Sequence, residues 1–508
     1  MSTVLKNPII FADVPDVDVL RHGDAYYMVS TTMHVFPGCP IMKSEDLAHW
    51  ETISYVFDVL EEDDCHTLAD GKGIYGRGQW ATSLRYHKGK FYVCFSCNET
   101  SQFYIYSTED IEKGPWKRNN IPQLFHDPAV LFDEDKAYVI CNCGDIRIVE
   151  LEEDLSGVKE GGIDQLLFST PKENIGLRCE GGHAYKINGY YYLIYIEWPS
   201  DGKKRRREIC YRSQNLLGPY ERKEIFDDDM GYHNKGIAQG AIFDTPQGDW
   251  YAMLFQDHDA VGRIPYILPV HWEDGWPMVG IDGKAPKEIE LPFEEKETAD
   301  IVICDEFEHE ENTLFLQWQW NHNPDHNLWS FTKHKGYLHL ENGHLSSGIL
   351  TARNTLTQRT IGPACVVTTL LDTRGMKDGD RAGLVALQSH FGTVGIWKEG
   401  EGCYAVMSQK GENGEEYPAE KVKYNKDTIY LKIFFDFTES RDIAEFFISE
   451  DGSQWRKIGE DLQMLYTLDH FMGYRGGIFG YPTKEKGGYA EFAFYHIFGC
   501  QSEENRIY

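Results

Sequence analysis

The chain has 508 residues, which is too many for one ordinary hydrophobic core, so we expect two or more domains. Its formal charge of −31, from 81 acidic against 50 basic residues, opposes the anionic surfaces of nucleic acids and lipid bilayers. A neutral partner such as a sugar is compatible with this field, and we predict neither nucleic acid nor a membrane as a partner.

The first residues, MSTVLKNPIIFADVPD, contain no basic segment followed by an apolar run, and no later run approaches the length of a membrane span. Twelve cysteines are scattered, and several lie in apolar strands, including Cys94, Cys141 and Cys210. Cys94 and Cys97 form a CxxC, but no second pair with zinc spacing follows, so packed core thiols are the expected state. The sequence therefore predicts a reduced, cytoplasmic protein with no metal in its site.

A turn followed by an aromatic strand recurs five times in the first three hundred residues. The five segments are GDAYYMVS, KGKFYVCFS, EDKAYVICN, NGYYYLIYI and QGDWYAMLF, which carry Tyr27, Tyr92, Tyr138, Tyr192 and Tyr251. These tyrosines lie 46 to 65 residues apart, which suits a four-stranded unit with variable loops. A sandwich has no reason to repeat one such unit five times. The repeat predicts an all-β chain that begins with a five-bladed β-propeller in residues 1–290.

The repeat also aligns one position on the innermost strand of each blade, 11 or 12 residues before each tyrosine. The residues at this position are Asp16, Trp80, Asp127, Glu180 and Gln239. If the blades are equivalent, these side chains converge near the axis and share a concave site. Two carboxylates across a sugar are what glycosidic cleavage requires, and a third would raise the pKa of the acid. A tryptophan there offers a stacking surface for the ring.

Each carboxylate also has a plainer interpretation, because acidic residues beside Pro or Gly often serve turns, as in VPDVD, FHDPAV and CEGGH. Three of them at equivalent positions of a five-fold repeat favour a functional role. Asp13 and Asp18 flank Asp16 and compete for its role, but only Asp16 keeps the blade spacing.

These motifs resemble glycoside hydrolase family 43, the β-xylosidase and α-L-arabinofuranosidase family with a five-bladed propeller, over nearly the whole chain. The segment NPIIFADVPDVDVLRHGDAYYMVS is similar to the family's first blade and implies Asp16 as general base. FHDPAVLFD is similar to the segment whose aspartate modulates the acid, which implies Asp127, and CEGGHAYKINGYYYL resembles the segment of the general acid, which implies Glu180. GQWATSLRYHKGKFYV resembles the second-blade motif and implies that Trp80 lines the sugar subsite, although Thr82 replaces the usual proline.

The stretch VGRIPYILPVHWEDGWPMV resembles one that contacts the terminal sugar in many members, so Arg263 is a substrate-binding candidate, with an ordinary ion pair as the alternative. Many members place a histidine at the hub of blade five, often with calcium or another cation, whereas this chain has Gln239. We therefore expect no required cofactor, leave room for a structural calcium, and assign Gln239 to the substrate site. His233 lies nearby and could compensate, but a loop histidine is more often polar surface. Members of this type are inverting, which implies that water attacks.

After WPMVGIDGKA the composition becomes polar and charge-rich, which predicts a linker over residues 291–304. Short alternating strands then predict a β-sandwich in residues 305–508. This region resembles the concanavalin-like or jelly-roll domain that follows the propeller in many members and can close one side of the pocket. Trp318, Trp320 and Trp329 either pack in its core, which is the commoner case, or form a separate sugar platform.

The basic run KKRRRE, from Lys203 to Glu208, lies between two strand-like segments and is predicted to be an exposed hairpin tip. For the whole chain we predict an exo-acting hydrolase that removes terminal α-L-arabinofuranosyl or β-D-xylosyl residues, or both, from oligosaccharides derived from (arabino)xylan. A non-catalytic sugar-binding protein is the alternative, since propellers and sandwiches also serve as lectins. A protein-interaction scaffold is disfavoured, because it would leave the axial positions unconstrained. The sequence leaves the oligomeric state open.

Overall fold

The computed structural model describes residues 3–200 and 205–500, and it confirms an all-β chain with a five-bladed propeller followed by a two-sheet sandwich. Within these ranges, helical structure is limited to short 3-10 turns at Ala69–Gly71, Asp259–Val261, Ile349–Thr351 and Thr438–Ser440. None of these helices has the length and apolar character that crossing a membrane demands. Strands therefore determine where the functional residues lie.

Each propeller blade is a four-stranded antiparallel sheet. The strands of this region are β1 (Thr3–Lys6), β2 (Asp18–His22), β3 (Ala25–Val29), β4 (Val35–Phe36), β5 (Gly38–Ser44), β6 (Glu51–Phe57), β7 (Gln79–His87), β8 (Lys90–Cys97), β9 (Gln102–Thr108), β10 (Lys117–Ile121), β11 (Ala129–Asp133), β12 (Lys136–Cys141), β13 (Asp145–Leu151), β14 (Asp164–Ser169), β15 (Ile175–Ile187), β16 (Tyr190–Pro199), β17 (Arg207–Ser213), β18 (Glu221–Phe226), β19 (Ala238–Asp244), β20 (Trp250–Asp257), β21 (Arg263–Glu273), β22 (Trp276–Val279) and β23 (Glu288–Leu291). Blade one contains β2, β3, β5 and β6, and the later blades are β7–β10, β11–β14, β15–β18 and β19–β22. Of the three remaining strands, β1 and β23 pair with each other, and β4 joins a sheet of the sandwich.

The turn before each aromatic strand has a backbone that explains the repeated sequence signal. Between β15 and β16, Asn188 and Gly189 have φ values of 50° and 80°. Positive φ at two successive turn residues is the tight hairpin connection that asparagine and glycine adopt at little cost. The strand that follows, β16, is buried over most of its length, because blades pack on both of its faces. This accounts for the nearly continuous apolar run after the turn.

Arg85 on β7 fastens the blades at the propeller axis. Its Nη1 donates to Asp18 Oδ2 on β2 at 2.6 Å, and its Nε donates to Val130 O on β11 at 2.8 Å. Its guanidinium lies 5.4 Å from the ring centre of Tyr185 on β15, and the Tyr185 hydroxyl accepts from Ile242 N on β19 at 3.0 Å. These contacts connect all five blades. They also assign Asp18, one of the two rivals of Asp16, to a structural ion pair.

The sandwich consists of two antiparallel sheets. Its strands are β24 (Gln319–Asn321), β25 (Trp329–Ser330), β26 (Leu338–Glu341), β27 (Leu356–Arg359), β28 (Ala364–Asp372), β29 (Asp380–Leu387), β30 (Gly392–Glu399), β31 (Gly402–Lys410), β32 (Glu416–Tyr424), β33 (Thr428–Asp436), β34 (Ile443–Ser449), β35 (Arg456–Lys457), β36 (Leu462–Gln463), β37 (Arg475–Pro482) and β38 (Tyr489–Cys500). One sheet has the order β32-β31-β30-β29-β37-β27-β24-β4, and the other runs β25-β26-β38-β28-β33-β34-β35 with β36 beside β34. Residues 292–304, between propeller and sandwich, form neither helix nor strand.

The propeller and the sandwich share a sheet edge and a buried carboxylate. Strand β4, from the loop between β3 and β5, extends a sandwich sheet, with Phe36 opposite Trp320. The side chain of Asp13 accepts from Arg263 N at 2.7 Å and from Gly473 N at 2.9 Å, while Arg359 Nε donates to the Asp13 carbonyl at 2.9 Å. Asp13, the second rival of Asp16, is therefore part of the interface. The two domains are held in one arrangement around the axial site.

Two groups of residues with alternative interpretations lie in hydrophobic cores. Trp318, Trp320 and Trp329 are 1%, 2% and 5% exposed, so they pack inside the sandwich rather than presenting a sugar platform. Cys94 and Cys97 are buried free thiols. Both observations agree with the commoner interpretation of such residues.

The prediction of an exposed tip at the basic run is wrong for the part of it that the structure describes. Lys203 and Lys204 lie outside the described residues. Arg206 is only 7% exposed and pairs with Asp257, and Glu208 is 1% exposed. Overall negative charge explains this difference, because acidic side chains of neighbouring strands are available to neutralise the arginines inside the fold.

Candidate active site

One cavity of about 310 Å³ opens at the propeller axis, and the six predicted site residues all line it. They are Asp16, Trp80, Asp127, Glu180, Gln239 and Arg263. The five from the blade repeat lie on, or two residues before, the innermost strands β2, β7, β11, β15 and β19. The volume is at the lower end of the roughly 300–1,000 Å³ of small-molecule sites. The cavity therefore fits a small ligand or one end of a larger one.

The backbone is unusual at equivalent points of three blades. Asp16, Asp127 and Gln239 have φ values of 51°, 45° and 70°, in the left-handed region that side chains other than glycine seldom adopt. Gly181, directly after Glu180, has φ of 62°, and a Cβ there would lie 2.5 Å from the Gln239 side chain. Such conformations are often kept where a functional side chain must be aimed. Here they direct side chains toward the axis.

Asp16 is fixed by three hydrogen bonds. Thr31 Oγ1 donates to its Oδ2 at 2.7 Å, while Gln239 Nε2 and Arg263 Nη1 donate to its Oδ1 at 2.9 and 2.7 Å. Gln239 and Arg263, both predicted to bind substrate, therefore hold the Asp16 carboxylate as well as lining the cavity. The ion pair considered as an alternative for Arg263 exists, and its partner is Asp16. A carboxylate oriented in this way is suited to position a water molecule.

Glu180 is the more accessible carboxylate, with 25% of its side chain exposed. His126 Nε2 lies 3.3 Å from Glu180 Oε2 and 3.6 Å from Asp127 Oδ2, and Gly181 N donates to Asp127 Oδ2 at 2.9 Å. His126 lines the cavity but was not predicted to do so, although it directly precedes Asp127 in FHDPAV. The sequence was sufficient to predict His126 as a site residue, since a histidine next to a predicted catalytic aspartate is a candidate proton-transfer group.

Two groups near Glu180 have shifted proton affinities. Burial, followed by the charges of Glu180 and Asp16, raises the pKa of Asp127 to about 6, against an opposing effect of the His126 charge. The hydrogen bond to Glu180, and then the charge of Asp127, raise the pKa of His126 to about 9. Protons are therefore held on this side of the cavity near neutral pH. Such an arrangement supports proton donation to a ligand.

A segment of the sandwich closes the cavity. We call residues 464–474, between β36 and β37, the strap, and its side chains Tyr466, Leu468 and Phe471 line the cavity. The Phe471 ring lies 5.1 Å from the Trp80 ring at an interplanar angle of 27°, and the Arg263 guanidinium lies 4.8 Å from the centre of the Phe471 ring. The blade repeat could not predict these residues, because they belong to the other domain.

The wall beyond Glu180 combines apolar side chains with neutralised charges. Leu177, Ile196 and Trp198 line it on β15 and β16. Two ion pairs complete the lining, one of Arg206 with Asp257 and one of Lys235 with Asp259, whose Nζ and Oδ1 are 2.5 Å apart. The cavity thus has a polar interior beside a flat apolar surface, which is typical of a sugar site.

The residues present do not fit a calcium ion at the hub. Gln239 Nε2 is used by Asp16, and the cationic side chain of Arg85 occupies the axis. His233, the candidate for compensation, is exposed and does not line the cavity. In the described ranges, one trio could bring three donor atoms to a single cation, namely His126 with Asp127 and Glu180, all within 4.8 Å. We interpret this trio as proton-transfer groups, because all three side chains line the cavity and His126 Nε2 lies 3.3 Å from Glu180 Oε2.

A five-bladed propeller with three carboxylates and a tryptophan around one axial cavity brings together the side chains that glycosidic cleavage requires. The model of the family described as glycosyl hydrolases family 43 matches residues 5–277, and that of the β-xylosidase C-terminal concanavalin A-like domain matches residues 304–497. The chain therefore belongs to glycosyl hydrolase family 43 and is an enzyme. This confirms the resemblance seen in the sequence and excludes the alternative of a non-catalytic sugar-binding protein.

The chain is similar to several named proteins. It is 28% identical to a β-xylosidase of Formosa agariphila, over 96% of this chain and 88% of that protein. It is 30% identical to a non-reducing end α-L-arabinofuranosidase of Bacteroides ovatus, over 66% of this chain and 64% of that protein. A solved structure described as a bifunctional GH43-CE protein of Bacteroides eggerthii is 45% identical with a TM-score of 0.92, over 99% of this chain. The chain spans only 64% of that bifunctional protein.

Proposed function

We propose that the enzyme removes terminal α-L-arabinofuranosyl or β-D-xylosyl residues, or both, from short oligosaccharides derived from (arabino)xylan. The observation that carries this proposal is the axial cavity, covered on one side by the strap, in which Asp16 from blade one and Glu180 from blade four line a space of about 310 Å³. The strap closes the cavity beside Trp80. A site of this size and shape admits the end of a chain and not its middle, which supports exo action.

In the proposed reaction, Asp16 takes a proton from a water molecule as the water oxygen attacks the anomeric carbon. Glu180 gives its proton to the glycosidic oxygen as the bond to the leaving group breaks, so the products are a free sugar of inverted configuration and a shortened acceptor. Asp127 is the neighbouring carboxylate that modulates Glu180. Arg263 and Gln239 hold Asp16 and contact the terminal sugar, and Trp80 supports one face of the ring. No step requires a metal.

The class of sugar is supported by the named relatives, one a β-xylosidase and one an α-L-arabinofuranosidase. The two sugars present similar hydroxyl patterns, so one polar cavity can accept both. We propose α-L-arabinofuranoside cleavage as the main activity and β-xyloside cleavage as a side activity. This chain covers 64% of the bifunctional protein, so the comparison with that protein supports the proposal only for the shared part.

The test uses wild type, Asp16→Asn and Glu180→Gln on 4-nitrophenyl α-L-arabinofuranoside, on 4-nitrophenyl β-D-xyloside and on an oligosaccharide. Asp16→Asn is expected to lose about a hundredfold or more in rate on every substrate. Glu180→Gln is expected to lose far more on the oligosaccharide than on the nitrophenyl glycosides, because nitrophenolate leaves without needing a proton. Proton NMR of the first product is expected to show the inverted anomer.

The matched control is Asp24→Asn, which removes an exposed carboxylate in the β2–β3 turn and should leave all rates unchanged. Melting temperatures establish that each variant is folded. If folded Glu180→Gln cleaves the oligosaccharide at the wild-type rate, the assigned acid is wrong. If wild type binds the sugars without cleaving either class of glycoside, the proposed substrate is wrong.

A further inference from the structure

The position of the general acid determines on which side of the cavity the leaving group lies. In the proposed reaction, Glu180 protonates the glycosidic oxygen, so the leaving sugar must extend past Glu180 and away from Asp16. The side of Asp16 is already filled by Gln239, Arg263 and the strap residue Phe471. The surface next to Glu180 is therefore the one that a leaving sugar can contact.

Strand register places an indole on that surface. Glu180 on β15 lies opposite Ile196 on β16, and Leu177, three residues before Glu180, lies opposite Trp198. Leu177, Ile196 and Trp198 all line the same cavity as Glu180. Trp198 is 41% exposed, whereas Trp80 packs against Phe471. An exposed indole at the rim of a sugar cavity offers the flat apolar face on which a pyranose ring stacks.

The charges near this surface indicate what kind of ring would bind. Arg206 is paired with Asp257, and Lys235 is paired with Asp259, so the four charges of this wall cancel. A wall with paired charges offers donors and acceptors to hydroxyl groups, but it does not favour an anionic substituent such as a uronic acid. The surface is suited to a neutral sugar.

We propose that Trp198, together with Leu177, forms the binding subsite for the leaving-group sugar, and that this sugar is a neutral pyranose ring of a short oligosaccharide. The inference rests on the proposed function and extends it from the sugar that is removed to the sugar that remains. It assigns specificity for the acceptor to β15 and β16 of blade four, next to the acid, and leaves recognition of the terminal sugar to Trp80 and Arg263.

The experiment compares wild type, Trp198→Ala and Trp198→Phe on two substrates that carry the same terminal sugar. One is the methyl glycoside, which has no leaving ring, and the other is the oligosaccharide. Trp198→Ala is expected to lower kcat/KM on the oligosaccharide by about tenfold and to leave the methyl glycoside within about twofold of wild type. Trp198→Phe keeps a flat ring and is expected to retain most of the oligosaccharide rate. Phe498→Ala, which removes an aromatic side chain of the sandwich that is 52% exposed, is the matched control.

Equal losses on both substrates would overturn the proposal, since they would show that Trp198 acts through the terminal-sugar site or through folding. An unchanged oligosaccharide rate in Trp198→Ala would overturn it as well. If wild type cleaves neither substrate, the proposed function fails, and calorimetric binding of the oligosaccharide then decides about Trp198. Affinity that is about tenfold weaker in Trp198→Ala supports the subsite, and equal affinity overturns it.

Discussion

At the scale of single residues, the acid side of the cavity holds one proton-binding group more than two-carboxylate cleavage requires. His126 is in contact distance of both Glu180 and Asp127, and its pKa is raised to about 9. Its positive charge opposes the rise in the pKa of Asp127 that burial causes. The charge of His126 therefore sets the lowest pH at which Asp127 stays ionised. Because Asp127 modulates Glu180, it also sets the pH range in which Glu180 can act as the acid.

We expect His126→Asn to shift the acid limb of the kcat/KM profile to higher pH. Without the imidazolium, the pKa of Asp127 rises further above about 6, so Asp127 loses its charge at a higher pH than in wild type. Activity at pH 5.5 is expected to fall several-fold more than activity at pH 8, as measured from kcat/KM across this range. His22→Asn, at an exposed histidine at the end of β2 away from Asp16, is the control. A uniform loss at all pH values would instead assign His126 to sugar binding.

The cavity shows which residues sequence reasoning can and cannot find. Asp16, Asp127 and Glu180 could be found because each follows the same spacing from a turn and a strand that repeat five times. Trp198 follows no such spacing, since its position depends on an irregular register between β15 and β16. Arg206 was wrongly predicted to be exposed, because a run of like charges carries no information about the acidic side chains that will surround it in the fold. The roles of the predicted residues stay predictions until the variants above are measured.

At the scale of structural elements, the strap is the part of the sandwich that completes the cavity. Phe471 has φ of 55° and reaches between Trp80 and Arg263, and its carbonyl accepts from Arg263 Nη2 at 3.4 Å. Because Arg263 also holds Asp16, the strap stabilises the orientation of the base from the other domain. No repeat or spacing in the propeller could reveal this contact, which joins residues more than two hundred positions apart.

Phe471→Ala tests whether the strap completes the substrate site. Removing the ring leaves one face of Trp80 and of Arg263 without its partner, so the terminal sugar should be held less firmly. We expect KM for the glycoside to rise about tenfold, with a smaller fall in kcat, because the carboxylates themselves are untouched. Steady-state kinetics on a nitrophenyl glycoside measure both.

Leu465→Ala is the matched control for the strap, since Leu465 is 47% exposed and does not line the cavity. It should leave KM unchanged. If Phe471→Ala is folded and has wild-type KM, the strap covers the cavity without taking part in binding, and the sandwich serves only to stabilise the propeller.

At the scale of the whole molecule, the contact between propeller and sandwich contains a carboxylate that is costly to ionise. Asp442 is 6% exposed and faces the turn Asp259–Val261 of the propeller, where Ala260 N donates to its Oδ2 at 3.4 Å. Burial, with a further contribution from the charge of Asp259, raises the pKa of Asp442 to about 7. Folding therefore favours the protonated side chain, and the interface becomes less stable as pH rises.

We expect Asp442→Asn to be more stable than wild type at pH 8. Because the folded pKa of about 7 lies above the ordinary value of 3.8, the protonated carboxyl contributes its full stability below about pH 4, and this is lost as pH rises to about 7. Asparagine keeps the acceptor for Ala260 N without a charge, so its advantage should grow over this range and level off at no more than about 4 kcal/mol. Urea unfolding at pH 5 and pH 8 measures the difference, with Asp427→Asn, an exposed aspartate of the sandwich, as control. If the advantage of Asp442→Asn is the same at both pH values, the side chain is ionised in the folded protein throughout this range, and the interface is not where the pH dependence of stability arises.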